Sequence, residues 1–227
     1  RRNLDMVYIC EDNGVYGLTK GQFSATADLG SIQKGGKPNE FETIDICALA
    51  IELGASFVAR SFSGDGKQVV PLIQAALAHK GAAILDIISP CVTFNDHEGS
   101  TKSYAYVKEH DIEIDDVDFI PYYENIEVDY AEGESTSVEL HDGSHVRLRK
   151  LAGWEHDPSD RLSALSVIHK AREQRELVTG LLYVNPKQKT LLELENVPDG
   201  KNLKDLSEAD CRLSREQFDA LMTEFAN

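Results

Sequence analysis

The sequence predicts an α/β fold, in which a mostly parallel sheet carries helices on both faces and a C-terminal α+β extension follows. Short apolar, β-prone runs at residues 4–10, 56–59 and 82–88 are typical of buried strands. Amphipathic runs at residues 40–53 and 67–79 alternate with them and predict helices. Strands that alternate with helices at this spacing indicate right-handed βαβ units.

The first predicted helix has its apolar stripe at i, i+3, i+4 and i+7, formed by Ile44, Cys47, Ala48 and Ile51. In the second helix, the preceding Asp65 suits the N-cap position. The third strand is almost continuously apolar, as strands of a parallel sheet are.

Beyond about residue 95 the chain becomes acidic and irregular, with scattered tyrosines. We therefore divide it into one domain at residues 1–95 and a second at residues 96–227. In the second, alternating residues on both sides of His141-Asp142-Gly143 predict a hairpin. Asp157 and Pro158 suit a helix start.

A capping box predicts the final helix, since Ser214 is followed three residues later by Gln217. We expect this helix to bury an apolar face. That face consists of Phe218, Leu221, Met222 and Phe225.

Composition excludes several classes of protein. The chain has 227 residues with a net charge of −16 and a pI of about 4.8, which argues against a nucleic-acid or anionic-membrane surface. No apolar run approaches the roughly 20 residues of a membrane span. The four cysteines form no CxxC pair, and a reducing cytoplasm fits this usage best.

A glycine-rich stretch at residues 12–22 follows the first strand. It contains three glycines, which let backbone N–H groups approach a ligand closely. Asn13 offers a neutral oxygen to a hard cation such as Mg²⁺, and Lys20 offers a mobile positive charge. The stretch suits a metal-bound phosphate ester but matches neither the dinucleotide fingerprint nor a P-loop. From these residues alone, a simple polar strand-to-helix connection is the favoured interpretation.

The sequence Asp-Asn-Gly-Val-Tyr-Gly-Leu-Thr-Lys-Gly-Gln-Phe-Ser resembles the second half of the thiamine-diphosphate motif in the β subunits of 2-oxoacid:ferredoxin oxidoreductases. The resemblance implies that the side chain of Asn13 and the backbone carbonyl of Val15 bind Mg²⁺. It also implies that Gly17, Leu18 and Thr19 pack around the diphosphate. The Gly-Asp-Gly half of the motif is expected upstream of residue 1.

The same resemblance gives Lys20 a catalytic position, facing the carboxylate of the 2-oxoacid as a point charge. Leu18 is then an apolar wall beside the thiazolium or the substrate. Two residues depart from the usual pattern: Asp12 stands where a second Asn is common, and Ala25 where Pro is common. Neither departure removes a proposed ligand.

Cys91, in the segment Ser-Pro-Cys-Val-Thr-Phe-Asn, is the second candidate. An isolated cysteine is most often a small hydrophobic residue. A turn after a strand end, however, suits a cluster sulfur that accepts N–H···S bonds. In the resembled family this segment carries the fourth cysteine ligand of a [4Fe–4S] cluster, with the other three cysteines expected upstream of residue 1.

The resemblance implies an enzyme that converts 2-oxoglutarate or another 2-oxoacid, with coenzyme A, to acyl-CoA and carbon dioxide. Electrons pass through the cluster to ferredoxin. The glutamate that activates the cofactor normally lies on an α subunit, so we expect an α partner and an α2β2 assembly. Two alternatives stay open: a cluster-free thiamine-diphosphate decarboxylase or synthase, and a non-catalytic subunit fragment that provides only an interface.

Overall fold

The computed structural model forms two compact units, residues 1–191 and 192–227. The residues that the structure describes are 2–16, 22–27, 29–30, 38–89, 126–139, 145–153, 155–197, 202–209 and 211–225. The domain boundary near residue 95 stays a prediction.

A mixed sheet forms the centre of the first unit. The described strands, in chain order, are β1 (Met6–Asp12), β2 (Val15–Tyr16), β3 (Gln22–Phe23), β4 (Phe57–Phe62), β5 (Ala82–Ile88), β6 (Ser135–Glu139), β7 (His145–Lys150) and β8 (Leu177–Val184). Six of them pair in the order β1-β5-β4-β8-β7-β6, and β2 pairs with β3 separately. Within the six-stranded sheet, β1–β5, β5–β4 and β8–β7 are parallel, whereas β4–β8 and β7–β6 are antiparallel. The predicted mostly parallel sheet is confirmed.

Helices cover both faces of this sheet, as predicted. The described helices are α1 (Ile46–Glu52), α2 (Gly66–Ala78), α3 (Arg161–Glu173), α4 (Leu191–Leu194) and α5 (Arg215–Phe225). On one face α1 and α3 pack together against β4 and β8, whereas α2 packs on the other face against β4 and β5. Because β4 lies between these layers, all six of its residues are buried.

Helix α1 begins six residues later than the sequence predicts. Asp45 is its N-cap, and the carboxylate of Asp45 accepts a hydrogen bond from the backbone N–H of Ala48 at 2.9 Å. The preceding residues stay outside the helix because the side chains of Asn39 and Thr43 donate to the carbonyl of Ala27, at 3.1 and 2.8 Å. The prediction of a helix from residue 40 was wrong because these long-range hydrogen bonds outweigh helix propensity.

The predicted cap of α3 was wrong by three residues. Asp160 is the N-cap, and its carboxylate accepts hydrogen bonds from the N–H groups of Leu162 and Ser163. Asp157 instead accepts from the backbone and hydroxyl of Ser159 in the turn before the helix. By contrast, the predicted cap of α2 is confirmed, since Asp65 accepts from the N–H of its third residue.

The C-terminal elements agree in part with the sequence. The hairpin of β6 and β7 is confirmed. In α5 the capping box is also confirmed, because Ser214 and Gln217 exchange reciprocal hydrogen bonds. The expected burial of its apolar face was wrong, since every one of its four apolar side chains is exposed: Phe218, Leu221, Met222 and Phe225.

Candidate functional site

The carboxyl ends of β1 and β5 meet at one edge of the sheet. Asp12 and Ile88, the last residues of the two strands, are in register. The backbone N–H of Ser89 then donates to the carbonyl of Asp12 at 2.8 Å. The glycine-rich stretch and the segment that leads to Cys91 therefore start side by side. In open α/β sheets this edge is where ligands bind.

A tight turn follows β1. The side-chain oxygen of Asn13 accepts a hydrogen bond from the N–H of Val15 at 3.0 Å, and one oxygen of Asp12 accepts from the N–H of Gly14 at 3.1 Å. Gly14 has a φ of +67°, a conformation that glycine adopts without the strain of a side chain. These contacts fix the direction of the Asn13 amide at the end of the strand.

The next residues form a small hairpin. Val15 pairs with Phe23 and Tyr16 with Gln22, so residues 17–21 connect β2 to β3. The predicted site residues in that connection lie outside the described residues, as does Cys91, and their roles stay predictions. They are Gly17, Leu18, Thr19 and Lys20.

A cleft of about 640 Å³ opens beside this turn. One wall is the turn itself, with Asp12, Asn13 and Gly14. The floor carries Arg60 from β4 and Asp86 from β5, which stand opposite one another in the register of the two parallel strands.

Arg60 is the centre of a buried ion-pair network. Its Nε lies 2.8 Å from Oδ2 of Asp86, and its terminal nitrogen lies 2.8 Å from Oδ1 of Asp45. Arg60 and Asp86 are only 3 and 1% exposed. Since Asp45 also caps α1, the network joins two central strands to the end of the connection that carries the hairpin.

Burial and the charge of Arg60 act in opposite directions on the neighbouring acids. Burial alone would raise the pKa of Asp45, but Arg60 and the N–H of Ala48 hold it below its ordinary value. For Asp86, burial dominates and raises the pKa despite Arg60. Burial also raises the pKa of the Cys47 thiol well above its usual range, so this thiol is inert.

On the opposite wall of the cleft, two arginines are each paired with a glutamate. Arg147 lies 3.1 Å from Glu176, and Arg172 of α3 lies 2.8 Å from Glu42. The second pair joins α3 to the connection before α1. Its side chains are 46 and 76% exposed, so it adds little stability in water.

Sequence reasoning missed the Arg60 network, although a signal was present. Arg60 and Asp86 are the only charged residues within the runs Phe57–Phe62 and Ala82–Ile88, and both runs are otherwise apolar or weakly polar. Opposite charges in two neighbouring buried strands predict a buried ion pair, because an unpaired charge there is strongly unfavourable.

The turn fits one part of a Mg²⁺ shell. The amide oxygen of Asn13 is held in a fixed direction and keeps a second lone pair, and a backbone carbonyl is a second neutral oxygen ligand. Within the described residues, no group of three or more His, Cys, Asp or Glu side chains could hold a metal ion. Asn13 and Val15 therefore suit a shell that other residues complete.

No described helix is long and apolar enough to cross a bilayer.

The candidate turn lies in the part of the chain that matches a family of cofactor-binding domains. The family model of the C-terminal thiamine-pyrophosphate-binding domain of thiamine pyrophosphate enzymes matches residues 1–87. A 2-oxoacid:ferredoxin oxidoreductase β subunit of Sulfolobus sp is 50% identical over 97 residues, which are 42% of this chain and 32% of that protein. The 2-oxoglutarate synthase subunit KorB of Methanocaldococcus jannaschii is 34% identical over 119 residues, which are 50% of this chain and 44% of that protein.

One solved structure supports the fold. A 2-oxoglutarate:ferredoxin oxidoreductase from Magnetococcus marinus, solved with 2-oxoglutarate, coenzyme A and succinyl-CoA bound, matches with a TM-score of 0.56. The match covers 90% of this chain and 57% of that one, at 24% identity. The chain spans about a third of the length of the 2-oxoacid:ferredoxin oxidoreductase β subunits that it matches. The resemblance predicted from the sequence is thus confirmed: over about two fifths of its length the chain is similar to the β subunits of 2-oxoacid:ferredoxin oxidoreductases.

Proposed function

We propose that the chain is part of a thiamine-diphosphate-dependent 2-oxoacid:ferredoxin oxidoreductase, as its β subunit. The reaction is the oxidative decarboxylation of a 2-oxoacid, with 2-oxoglutarate favoured, to acyl-CoA and carbon dioxide. The observation that carries the proposal is the fixed Asn13 turn at the carboxyl end of β1, inside the family-matched residues 1–87 and beside the end of β5. The names of the relatives support the reaction.

The turn would hold the cofactor. Asn13 would bind Mg²⁺ through its amide oxygen and Val15 through its carbonyl, while Gly17, Leu18 and Thr19 would surround the diphosphate. Thiamine diphosphate supplies the electron sink on which a 2-oxoacid loses carbon dioxide. The chain's own contribution is to anchor and orient; no general base is assigned to it.

Lys20 would bind the substrate carboxylate as a point charge, next to the apolar wall of Leu18. A hydrogen bond from an ammonium group to an anion in a partly desolvated site contributes about 1.5–3 kcal/mol to the free energy of binding. Lys20→Ala should therefore raise KM for the 2-oxoacid roughly ten-fold or more and leave KM for coenzyme A unchanged. Lys204→Ala, an exposed lysine of the second unit, is the control. Equal changes in both KM values would exclude the carboxylate role.

Cys91 would be the fourth ligand of a [4Fe–4S] cluster that delivers electrons to ferredoxin. Iron content and visible absorbance test this in the purified α–β complex. Cys91→Ser should lower both and slow ferredoxin reduction, whereas Cys211→Ser, which changes an exposed thiol, should not. A wild-type complex without iron would favour a cluster-free thiamine enzyme.

The partners follow from the same proposal. An α subunit would supply the glutamate that activates the cofactor, in a cytoplasmic α2β2 assembly, with residues 1–95 as the cofactor domain of the β chain. Co-expression of the two chains followed by light scattering measures the assembly. A β chain that binds thiamine diphosphate fully without its partner would contradict the shared site.

A further inference from the structure

The side chain of Asp12 joins the two ends of the hairpin segment. One of its oxygens, Oδ1, accepts a hydrogen bond from the hydroxyl of Thr26 at 2.6 Å. The same oxygen accepts the backbone N–H of Gly14 at 3.1 Å. Thus Gly14, just before the hairpin, and Thr26, just after it, donate to a single oxygen of Asp12, although Asp12 and Thr26 are fourteen positions apart in sequence.

Thr26 is itself held in place. The hydroxyl of Ser24 accepts a hydrogen bond from the N–H of Thr26 at 3.2 Å and lies 2.9 Å from its hydroxyl oxygen. The carbonyl of Ala25 accepts the N–H of Ile44 at 2.9 Å, one residue before the cap of α1. The threonine hydroxyl is therefore fixed relative to both the sheet and the helix.

From these contacts we infer that Asp12 and Thr26 are positioning residues, which form a clamp that holds the β2–β3 hairpin against the end of β1. The inference rests on the proposed function, because the hairpin connection contains Lys20 and the residues assigned to the diphosphate. With the clamp closed, both ends of the hairpin segment are fixed, so less conformational entropy is lost when a ligand binds to the segment. Without it, that entropy is lost on binding, and the cofactor binds more weakly.

The clamp needs a hydroxyl at residue 26 and an acceptor oxygen at residue 12, but not a negative charge. In the purified α–β complex, we expect Thr26→Val and Asp12→Ala each to raise Kd for thiamine diphosphate with Mg²⁺ about ten-fold, or about 1.4 kcal/mol. The double variant should be no worse than Asp12→Ala alone, because Asp12→Ala already removes the acceptor of the Thr26 hydroxyl. Asp12→Asn keeps the carbonyl oxygen and should restore binding to near wild type.

Thr136→Val is the matched control, since it makes the same chemical change on β6, the edge strand opposite β1. It should leave Kd unchanged. If Thr26→Val binds as tightly as the control, or if Asp12→Asn is as impaired as Asp12→Ala, the clamp is excluded.

Hydrogen exchange of the cofactor-free complex separates the clamp from the proposed function. Peptides that cover residues 13–23 should exchange faster in Thr26→Val than in Thr136→Val, with other peptides unchanged. Faster exchange supports the clamp even if the wild-type complex binds no thiamine diphosphate. The absence of binding would overturn only the proposed function. Unchanged exchange in the hairpin overturns the clamp.

Discussion

Replacing Arg60 with methionine tests whether the ion-pair network under the cleft stabilises the fold. Methionine keeps most of the volume of the side chain and removes its charge. Arg60 bonds Asp86 and Asp45 at 2.8 Å each, and Asp86 is 1% exposed. Removing one partner of such a buried pair costs about 3–5 kcal/mol, because the other charge is left without compensation.

The double variant Arg60→Met/Asp86→Leu distinguishes the net contribution of the ion pair to stability from the cost of leaving one of its charges unpaired. An apolar pair of similar volume often replaces a buried ion pair with little loss. We therefore expect the double variant to be more stable than Arg60→Met by about 2 kcal/mol. Asp45 loses its ion pair in both, but it still accepts the N–H of Ala48, and its side chain is 17% exposed to solvent.

Urea unfolding followed by circular dichroism at pH 7 gives the free energy of unfolding for each variant. Arg172→Met is the control, because it breaks an exposed ion pair with Glu42 and should cost less than about 1 kcal/mol. The network does not act as described if Arg60→Met costs no more stability than this control. It is also excluded if the costs of Arg60→Met and Asp86→Leu, measured singly, simply add up in the double variant.

Three other outcomes follow from particular contacts. At pH 7.5, iodoacetamide should modify the exposed Cys211 quickly and leave the fully buried Cys47 intact until the chain unfolds, as peptide mass spectrometry would show. Asp160→Ala removes two cap hydrogen bonds of α3 and should lower the free energy of unfolding by about 1 kcal/mol. The control, Asp219→Ala of α5, breaks only an exposed ion pair with Arg215 and should cost less than about 0.5 kcal/mol. Gly81→Ala should destabilise by about 2 kcal/mol or more, because Gly81 has a φ of +125° and a Cβ there would lie 2.7 Å from the Asn3 amide; a variant with wild-type stability in urea would refute this.

Local sequence patterns predicted the elements around the site well. The third strand was predicted at residues 82–88, which are the bounds of β5, because a run of buried apolar residues has one interpretation in a βαβ chain. The cap at Asp65 was equally clear, since it immediately precedes an amphipathic run. The first strand was predicted at residues 4–10 but lies two residues later, at Met6–Asp12, and the turn at Asn13 and Gly14 follows it directly.

Features that depend on distant contacts were not predictable. The start of α1 depends on hydrogen bonds to Ala27, and a local pattern does not contain them. Asp157 and Asp160 are both acceptable caps by sequence, and the turn around Ser159 decides between them. For Arg60 and Asp86 the sequence does contain a signal, two opposite charges in two apolar strands, but only the folded sheet shows that β4 and β5 are adjacent and that the two residues are in register.

The exposed face of α5 is a different case. Its periodicity predicts both the helix and the stripe, and both are present. Periodicity identifies an apolar face but does not identify what that face contacts, so it could not predict the exposure of Phe218 and its neighbours.

The central claim is that the turn at Asn13 binds the metal and diphosphate of thiamine diphosphate. Its most direct test is the affinity of the purified α–β complex for thiamine diphosphate with Mg²⁺, measured by titration calorimetry for Asn13→Ala. Asn202→Ala, an exposed asparagine of the second unit, is the control. We expect Asn13→Ala to weaken binding at least ten-fold, about 1.4 kcal/mol or more, and the control to bind like wild type. Wild-type affinity in Asn13→Ala would contradict the assignment of the site.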